Sequence, residues 1–299
     1  MRIWAVGGGK GGTGKSLVSH GLGARLADRG ASVILVDADF GGPNQHTYCG
    51  LRKPERTLGQ FFDEKVPLAD LVVETRIQGL RLVSGNVNAQ NTDGITFAQK
   101  AKLFRHLRKL PADHVILDLG AGTSYDVLDS FLEADVQVCV IAPDALAIEN
   151  VYLFLKNVKY RQMTRVLSET GLRDRAREVW KHRTDHGIAT VDQFLDHLRA
   201  GHPEFAERMD GARARLSIQL VLNQIRDMGQ AEVGVAVSGA IQRFLGLPAV
   251  CAGHVRHEKD LWRRPNPDTP VLHHGAAFTL RQDLDAVAGA ILAARADQP

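Results

Sequence analysis

Apolar positions follow two rhythms along the chain. Short, nearly continuous apolar runs recur at "RIWAV" (2–6), "SVILVDAD" (32–39), "LRLVSG" (80–85), "HVILDLGAG" (114–122), "DVQVCVIAP" (135–143) and "LSIQLVLNQ" (216–224). Runs of this length that stop at an acid, a glycine or a proline read as strands buried on both faces. Between them the spacing becomes helical. Residues 16–29 carry Leu17, Leu22 and Leu26 and end at Gly30, a natural helix stop; 97–110 and 124–133 read the same way. Strands alternating with helices predict an α/β fold: a mostly parallel sheet with helices on both faces and right-handed crossovers.

One interval breaks the alternation. About seventy residues separate the strand ending near Ala142 from the strand beginning near Leu216, and they read as helical throughout. Residues 150–210 are therefore expected to be a helical insertion inside a single domain, 1–299. At the other end of the chain, Leu284, Val287, Ile291 and Leu292 form a helical stripe. Asp283, Asp285 and Asp297 make that segment too acidic to lie on an anionic bilayer, so it is expected to pack on the sheet.

Composition narrows the setting more than the function. The chain has 299 residues, 44% hydrophobic, and a formal net charge of +3, which selects no class of partner. No window of 18 apolar residues is free of charges, and "MRIWAV" has no secretory-leader pattern, so no transmembrane segment or leader is expected. Cys49, Cys139 and Cys251 lie far apart and form no CxxC pair, which fits a reduced, cytoplasmic setting. Charge is concentrated locally. Residues 156–183 hold nine Lys/Arg against three Asp/Glu, with Tyr160 and Trp180 interleaved and Leu155, Val158 and Val166 as an apolar edge. Such a surface suits nonspecific DNA, an anionic membrane surface or an acidic partner, and it equally suits a solvated helical face. The shorter basic run at 102–109 is open to the same readings.

The chemistry is concentrated in "GKGGTGKS", Gly9 to Ser16, which satisfies the P-loop pattern G-x4-G-K-[ST]. Gly9, Gly11, Gly12 and Gly14 let backbone N–H groups around Lys10 and Thr13 turn toward phosphates, and the helix that follows adds its positive end. Lys15 is placed to reach the β/γ-phosphates of ATP, and the Ser16 hydroxyl to ligate Mg²⁺. Asp118 ends the run "HVILD", a strand-end carboxylate suited to the metal through water. Asp37 and Asp39 end "VILV", where a carboxylate can touch the metal or orient the attacking water.

One loop lysine suffices for the phosphates, yet this loop has two. "KGGTGKS" resembles the deviant Walker A motif of the MinD/ParA ATPases. The resemblance implies that Lys10 crosses a dimer interface to the nucleotide of the other subunit, acting as an arginine finger does. "DADFGGPN" is similar to the family's first switch, which ties Asp39 to hydrolysis and puts Asn44 near the nucleotide. "DLGAG" (118–122) resembles the second switch. "VLNQIR" puts Asn223 where the family reads the adenine edge. "AGHVRHEKDL" (252–261) falls where relatives close a loop over the base, and Arg256 stands there in place of a common proline, a planar group able to stack on adenine. The switch regions look closest to the MinD-like branch that includes flagellar-number and cell-positioning regulators.

The function this implies is an ATP-dependent dimerisation switch with slow hydrolysis. It would regulate the position or number of a cellular structure through an activating partner, with recruitment to a polar, membrane or nucleoid site. The alternatives are a DNA-partitioning ATPase of the ParA kind and a nucleotide-binding scaffold without turnover.

Overall fold

Alternate residues of each buried strand feed opposite faces of one sheet, and this builds two hydrophobic layers. In β1 (Arg2–Gly7), Ile3 and Ala5 belong to one layer and Trp4 and Val6 to the other. The computed structural model describes residues 1–296 apart from 53, 86–94, 262–267 and 274. In chain order β1 is followed by α1 (Lys15–Asp28), β2 (Val33–Ala38), the short α2 (Gln45–Tyr48), α3 (Leu58–Asp63), β3 (Val73–Glu74), β4 (Leu80–Val83) and α4 (Phe97–Leu107). Next come β5 (His114–Leu119), α5 (Tyr125–Glu133), β6 (Val136–Ile141) and the 25-residue α6 (Ala145–Glu169). After them lie α7 (Arg173–Lys181), α8 (Val191–Gly201), α9 (Pro203–Ala214), β7 (Ile218–Ile225), α10 (Glu232–Leu245), β8 (Ala249–Arg256) and α11 (Phe278–Ala296).

The eight strands form one sheet in the order β3-β4-β2-β5-β1-β6-β7-β8. All neighbours are parallel except β3 and β4. The sheet is thus the mostly parallel, doubly covered one that the alternation predicts. One face is covered by α1 and α11, the other by α3 to α6 and α10. Register decides where the chemistry falls. Asp37 of β2 lies opposite Asp118 of β5, and Asp118 lies opposite Val6 of β1. The two acids and the loop that leaves β1 therefore meet at the carboxyl edge of the sheet, where ligands bind in open α/β folds.

The helical stretch expected over 150–210 divides between two cores. The first half of α6 is the crossover from β6, and its Val151, Phe154, Leu155 and Val158 are buried in the main layer. Its last turns contribute Val166 and Leu167 to a separate cluster with Ala176, Val179, Phe194, Leu198, Phe205 and Met209 of α7, α8 and α9. Caps keep these helices distinct. Thr190 and Gln193 form a reciprocal capping box at the start of α8, and Pro203 opens α9.

Residues 252–256, the first half of the 252–261 segment expected to close over the base, instead belong to the edge strand β8. Only Ala249, Ala252 and Val255 of its eight residues are buried, so it shows no continuous buried run. The C-terminal helix packs as expected: Leu284, Val287 and Ile291 are buried against α1 and β8, and Leu292 is half-buried. Asp297 lies outside the described residues. No helix among the described residues is long and apolar enough to cross a membrane.

Candidate nucleotide site

The glycine-rich loop runs from Gly8 to Gly14 between β1 and α1. It fits only because it lacks side chains at two contacts. A Cβ on Gly9 would sit 2.1 Å from the Asn150 carbonyl of α6, and one on Gly14 would sit 2.1 Å from the Asn223 amide. Gly14 also has φ +88°, a backbone conformation that side chains disfavour. No heavy atom outside the adjoining chain lies within 4 Å of where a Cβ on Gly11 or Gly12 would point, so the crown of the loop is open.

The two loop lysines face different ways. Lys15, the first residue of α1, is only 7% exposed, and its Nζ donates to the Lys10 carbonyl at 3.1 Å. Burial lowers its pKa, while the Asp118 and Asp39 carboxylates act in the opposite direction, which places both acids close enough to feel its charge. The Lys10 side chain is 39% exposed and points out of the loop, and among the described residues its one ion pair is a long one, 3.8 Å to Asp144, the N-cap of α6.

The acids are held by different means. Asp118 is fully buried; Ser19 Oγ donates to it at 2.9 Å and Gln45 Nε2 at 2.7 Å. Burial raises its pKa, against those donors and the Lys15 charge. Asp37 is also buried and accepts from the backbone N–H groups of Asn44 (2.7 Å), Gln45 (2.9 Å) and Asp39 (3.3 Å). Burial and the neighbouring Asp118 carboxylate push it up to about 7, although those three donors oppose the shift. Asp37 therefore anchors the loop that carries Asp39. Asp39 is half-buried at the loop mouth, and its Oδ1 accepts from the Gly41 and Gly42 N–H groups, each at 3.1 Å.

Gln45 is a component that the motifs did not single out. It is buried, and its single amide donates to both the Ser16 carbonyl and Asp118, tying the first switch to the second through the start of α1. Its only sequence signal is its place next to Asn44. The Asn44 backbone holds Asp37, and its side-chain oxygen is buried without a partner among the described residues. Asn223 lies behind the loop, not open to a base. Its Nδ2 donates to the Thr13 carbonyl at 2.8 Å, and Gln224 Nε2 donates to the Gly12 carbonyl at 2.9 Å. Arg256 does not reach the site as a stacking plane. Its guanidinium forks onto Asp283 of α11 (2.6 and 2.9 Å), because β8 ends beside that helix.

Gly9 to Ser16, Asp39, Asp118 and Asn223 thus converge, and Arg256 is diverted. The donor set fits Mg²⁺: a hydroxyl and carboxylates are hard oxygen ligands, and a nucleotide-borne Mg²⁺ needs few from the protein. The Thr13 hydroxyl, buried with no partner among the described residues, also fits a loop that hydrogen-bonds a phosphate.

A glycine loop leaving β1 of a mostly parallel sheet, with Lys15 at the start of the next helix, defines a P-loop NTPase. The ParA family model, described as "NUBPL iron-transfer P-loop NTPase", matches residues 1–166. The chain belongs to this MinD/ParA family. It is 30% identical over 158 residues to the antiactivator FleN of Pseudomonas aeruginosa, covering 52% of this chain and 56% of FleN. The chain spans about half the length of the curated relatives it matches. Its fold is that of the cell division ATPase MinD of Pyrococcus furiosus, with TM-score 0.66, 17% identity and coverage of 98% and 99%. The septum site-determining protein MinD of Pyrococcus horikoshii, solved with Mg-ADP, matches with TM-score 0.63, 16% identity and coverage of 96% and 94%. As for the iron transfer in the family description, Cys49 and Cys139 are buried, and burial raises both thiol pKa values, that of Cys49 to about 12. Among the described residues, no cluster of three or more His, Cys, Asp or Glu is placed to hold a metal ion.

Proposed function

We propose that this chain is an ATP-dependent dimerisation switch with slow hydrolysis, regulating the position or number of a cellular structure through a partner protein. The observation that supports this most is the opposed placement of the two loop lysines. Lys15 is buried and turned into its own loop, where it serves the β/γ-phosphates. Lys10 points outward on a weak tether, free to reach a nucleotide held by a second copy. A cation arriving from outside stabilises the charge that develops during phosphoryl transfer, so hydrolysis waits for assembly.

The remaining residues take roles around that event. Backbone N–H groups of Gly9 to Gly14 and the start of α1 bind phosphate oxygens. Ser16 would hold Mg²⁺ directly and buried Asp118 through water; the ion supplies charge neutralisation at the β- and γ-phosphates when bound. Asp39, at the loop mouth, orients the attacking water. Asn223 and Gln224 brace the loop from behind, a role that replaces adenine reading in this proposal. The ATPase named in the P. furiosus structure, the Mg-ADP named in the P. horikoshii structure and that protein's septum-siting name agree with this reading.

The test pairs a phosphate-release assay with light scattering in a slowly hydrolysed ATP analogue. The parent should turn over slowly and double its mass with the analogue. Asp39→Ala should form the dimer, now with ATP itself, and lose turnover. Hydrolysis at the parent rate in Asp39→Ala would show that another group positions the water.

A further inference from the structure

The ATPase machinery leaves the helical segment after Leu155 without a task, and that segment encloses a groove of about 740 Å³ against α5 and α6. The groove is apolar and aromatic: Tyr125, Tyr160, Met163, Leu167, Trp180 and Phe194 line it. Trp180 is 38% exposed and stands edge-on to Phe194, with ring centroids 5.2 Å apart. Tyr125 is 67% exposed, an unusual position for an aromatic ring at the start of a helix. Arg173, Arg177 and Lys181, four residues apart on α7, put three cations along one rim, and no Asp or Glu is among the lining residues.

The charge distribution selects the occupant. Of the nine cations in 156–183, Lys159 pairs with Asp192, Arg161 with Asp129, Arg165 with Glu133 and Arg177 with Asp174. The basic run is thus not a uniform polycation for DNA or lipid; four of its charges are already answered. Arg173 and Lys181 have no ion pair among the described residues and sit beside exposed aromatic surface. An apolar floor with cations on its rim complements an amphipathic helix carrying apolar anchors at i, i+3 or i+4 and i+7 and acids beside them.

The groove is also wired to the switch. Tyr125 opens α5, which follows the loop after Asp118, and the Arg161 guanidinium lies over its ring at 4.4 Å. Arg161 forks onto Asp129 (2.6 and 2.9 Å), Asp129 accepts from Lys100 (2.6 Å), and Lys100 donates to the Tyr125 carbonyl (3.1 Å). Movement of the loop after Asp118 would move one wall of the groove.

We propose that this groove is the docking site for an acidic amphipathic helix of the partner protein, held by Tyr125 and Trp180 over a floor that includes Phe194 and steered by Arg173 and Lys181. The proposal rests on reading the chain as a partner-regulated switch. Three fluorescein-labelled peptides of about 16 residues would serve as probes, long enough to offer two helical turns of anchors. One carries Leu/Phe anchors with Glu between them, one has Lys for Glu, and one is a scramble. Anisotropy titrations against the full chain should show the acidic peptide binding at least about tenfold tighter than the other two, and weakening with salt. The double variant R173E/K181E should lose about tenfold of that affinity, and Trp180→Ala should lose as much. Both surface variants should keep parent ATP turnover. Equal binding of all three peptides, or parent affinity in R173E/K181E, would overturn the proposal. So would binding of phosphatidylglycerol vesicles or duplex DNA, competing with the acidic peptide, that the double variant abolishes. Turnover and ATP-driven mass are read on the same samples: turnover without peptide binding removes only the groove, and peptide binding without turnover removes only the ATPase reading.

Discussion

The carboxyl edge of the sheet and the helical segment beyond α6 solve opposite problems with the same kind of helix. At the sheet edge, polar groups are buried and each is fixed by several donors. Asp37 accepts from three backbone N–H groups, and Asp118 from two side chains, Ser19 and Gln45. Beyond Leu155, apolar groups line a surface groove while charges pair across helices, as Arg161 does with Asp129 and Arg165 with Glu133. Buried polar networks hold one geometry because an unpaired member is costly, which suits a site that must place a phosphate. A small separate cluster such as the one around Phe205 can shift or open without disturbing that geometry, which suits a surface that answers to a partner.

If the two regions are energetically separate, the largest local effect should come from the satellite core. Phe205 is fully buried there, and Phe205→Ala should cost that cluster about 3–5 kcal/mol. Hydrogen exchange should rise across α7, α8 and α9 while ATP affinity stays at the parent value. A parallel loss of ATP affinity would show that the regions form one cooperative unit.

The link between them should cost less. Asp129 is buried, and although burial alone would raise its pKa, the hydrogen bonds from Arg161 and Lys100 prevail and hold its carboxyl below the usual range. Asp129→Asn leaves two cations without their shared acceptor and should cost about 3 kcal/mol in a urea titration. A depressed folded pKa means stability that is present above the unfolded value near 4 and is lost as pH falls through the folded value. The parent should therefore lose stability in acid more steeply than Asp129→Asn; identical acid profiles would remove Asp129 from the link.

Within the site, Lys15→Ala removes the buried phosphate cation and should lower ATP affinity on the order of 100-fold, as expected for losing a charge-assisted contact. The melting of α7 to α9, followed by exchange, should not change. Parent affinity in Lys15→Ala would mean that the phosphates sit elsewhere.

How far each region could be read from its residues follows from the same contrast. Strands β1, β2, β5, β6 and β7 announce themselves because burial on both faces forces continuous apolar runs. Strand β8 does not, because only Ala249, Ala252 and Val255 of it are buried, and β3 has only two residues. The P-loop is legible because phosphate binding demands glycines at set spacing. Gln45 is not, since its two hydrogen bonds join residues far apart in sequence and leave no local pattern. Arg256 misleads for a similar reason: its partner, Asp283, lies on another element. In the basic run, composition shows nine cations but not which are paired. Arg161 and Arg165 look like surface charges in the sequence and turn out to fasten α6 to α5.

The central claim is that Lys10 works across an interface and not within its own loop. Light scattering of Lys10→Ala with a slowly hydrolysed ATP analogue tests it most directly, with binding of the analogue confirmed by titration. Because Lys15 and the loop backbone are untouched, the variant should bind the analogue yet stay at monomer mass, while the parent doubles. A Lys10→Ala chain that doubles its mass as the parent does would contradict the account.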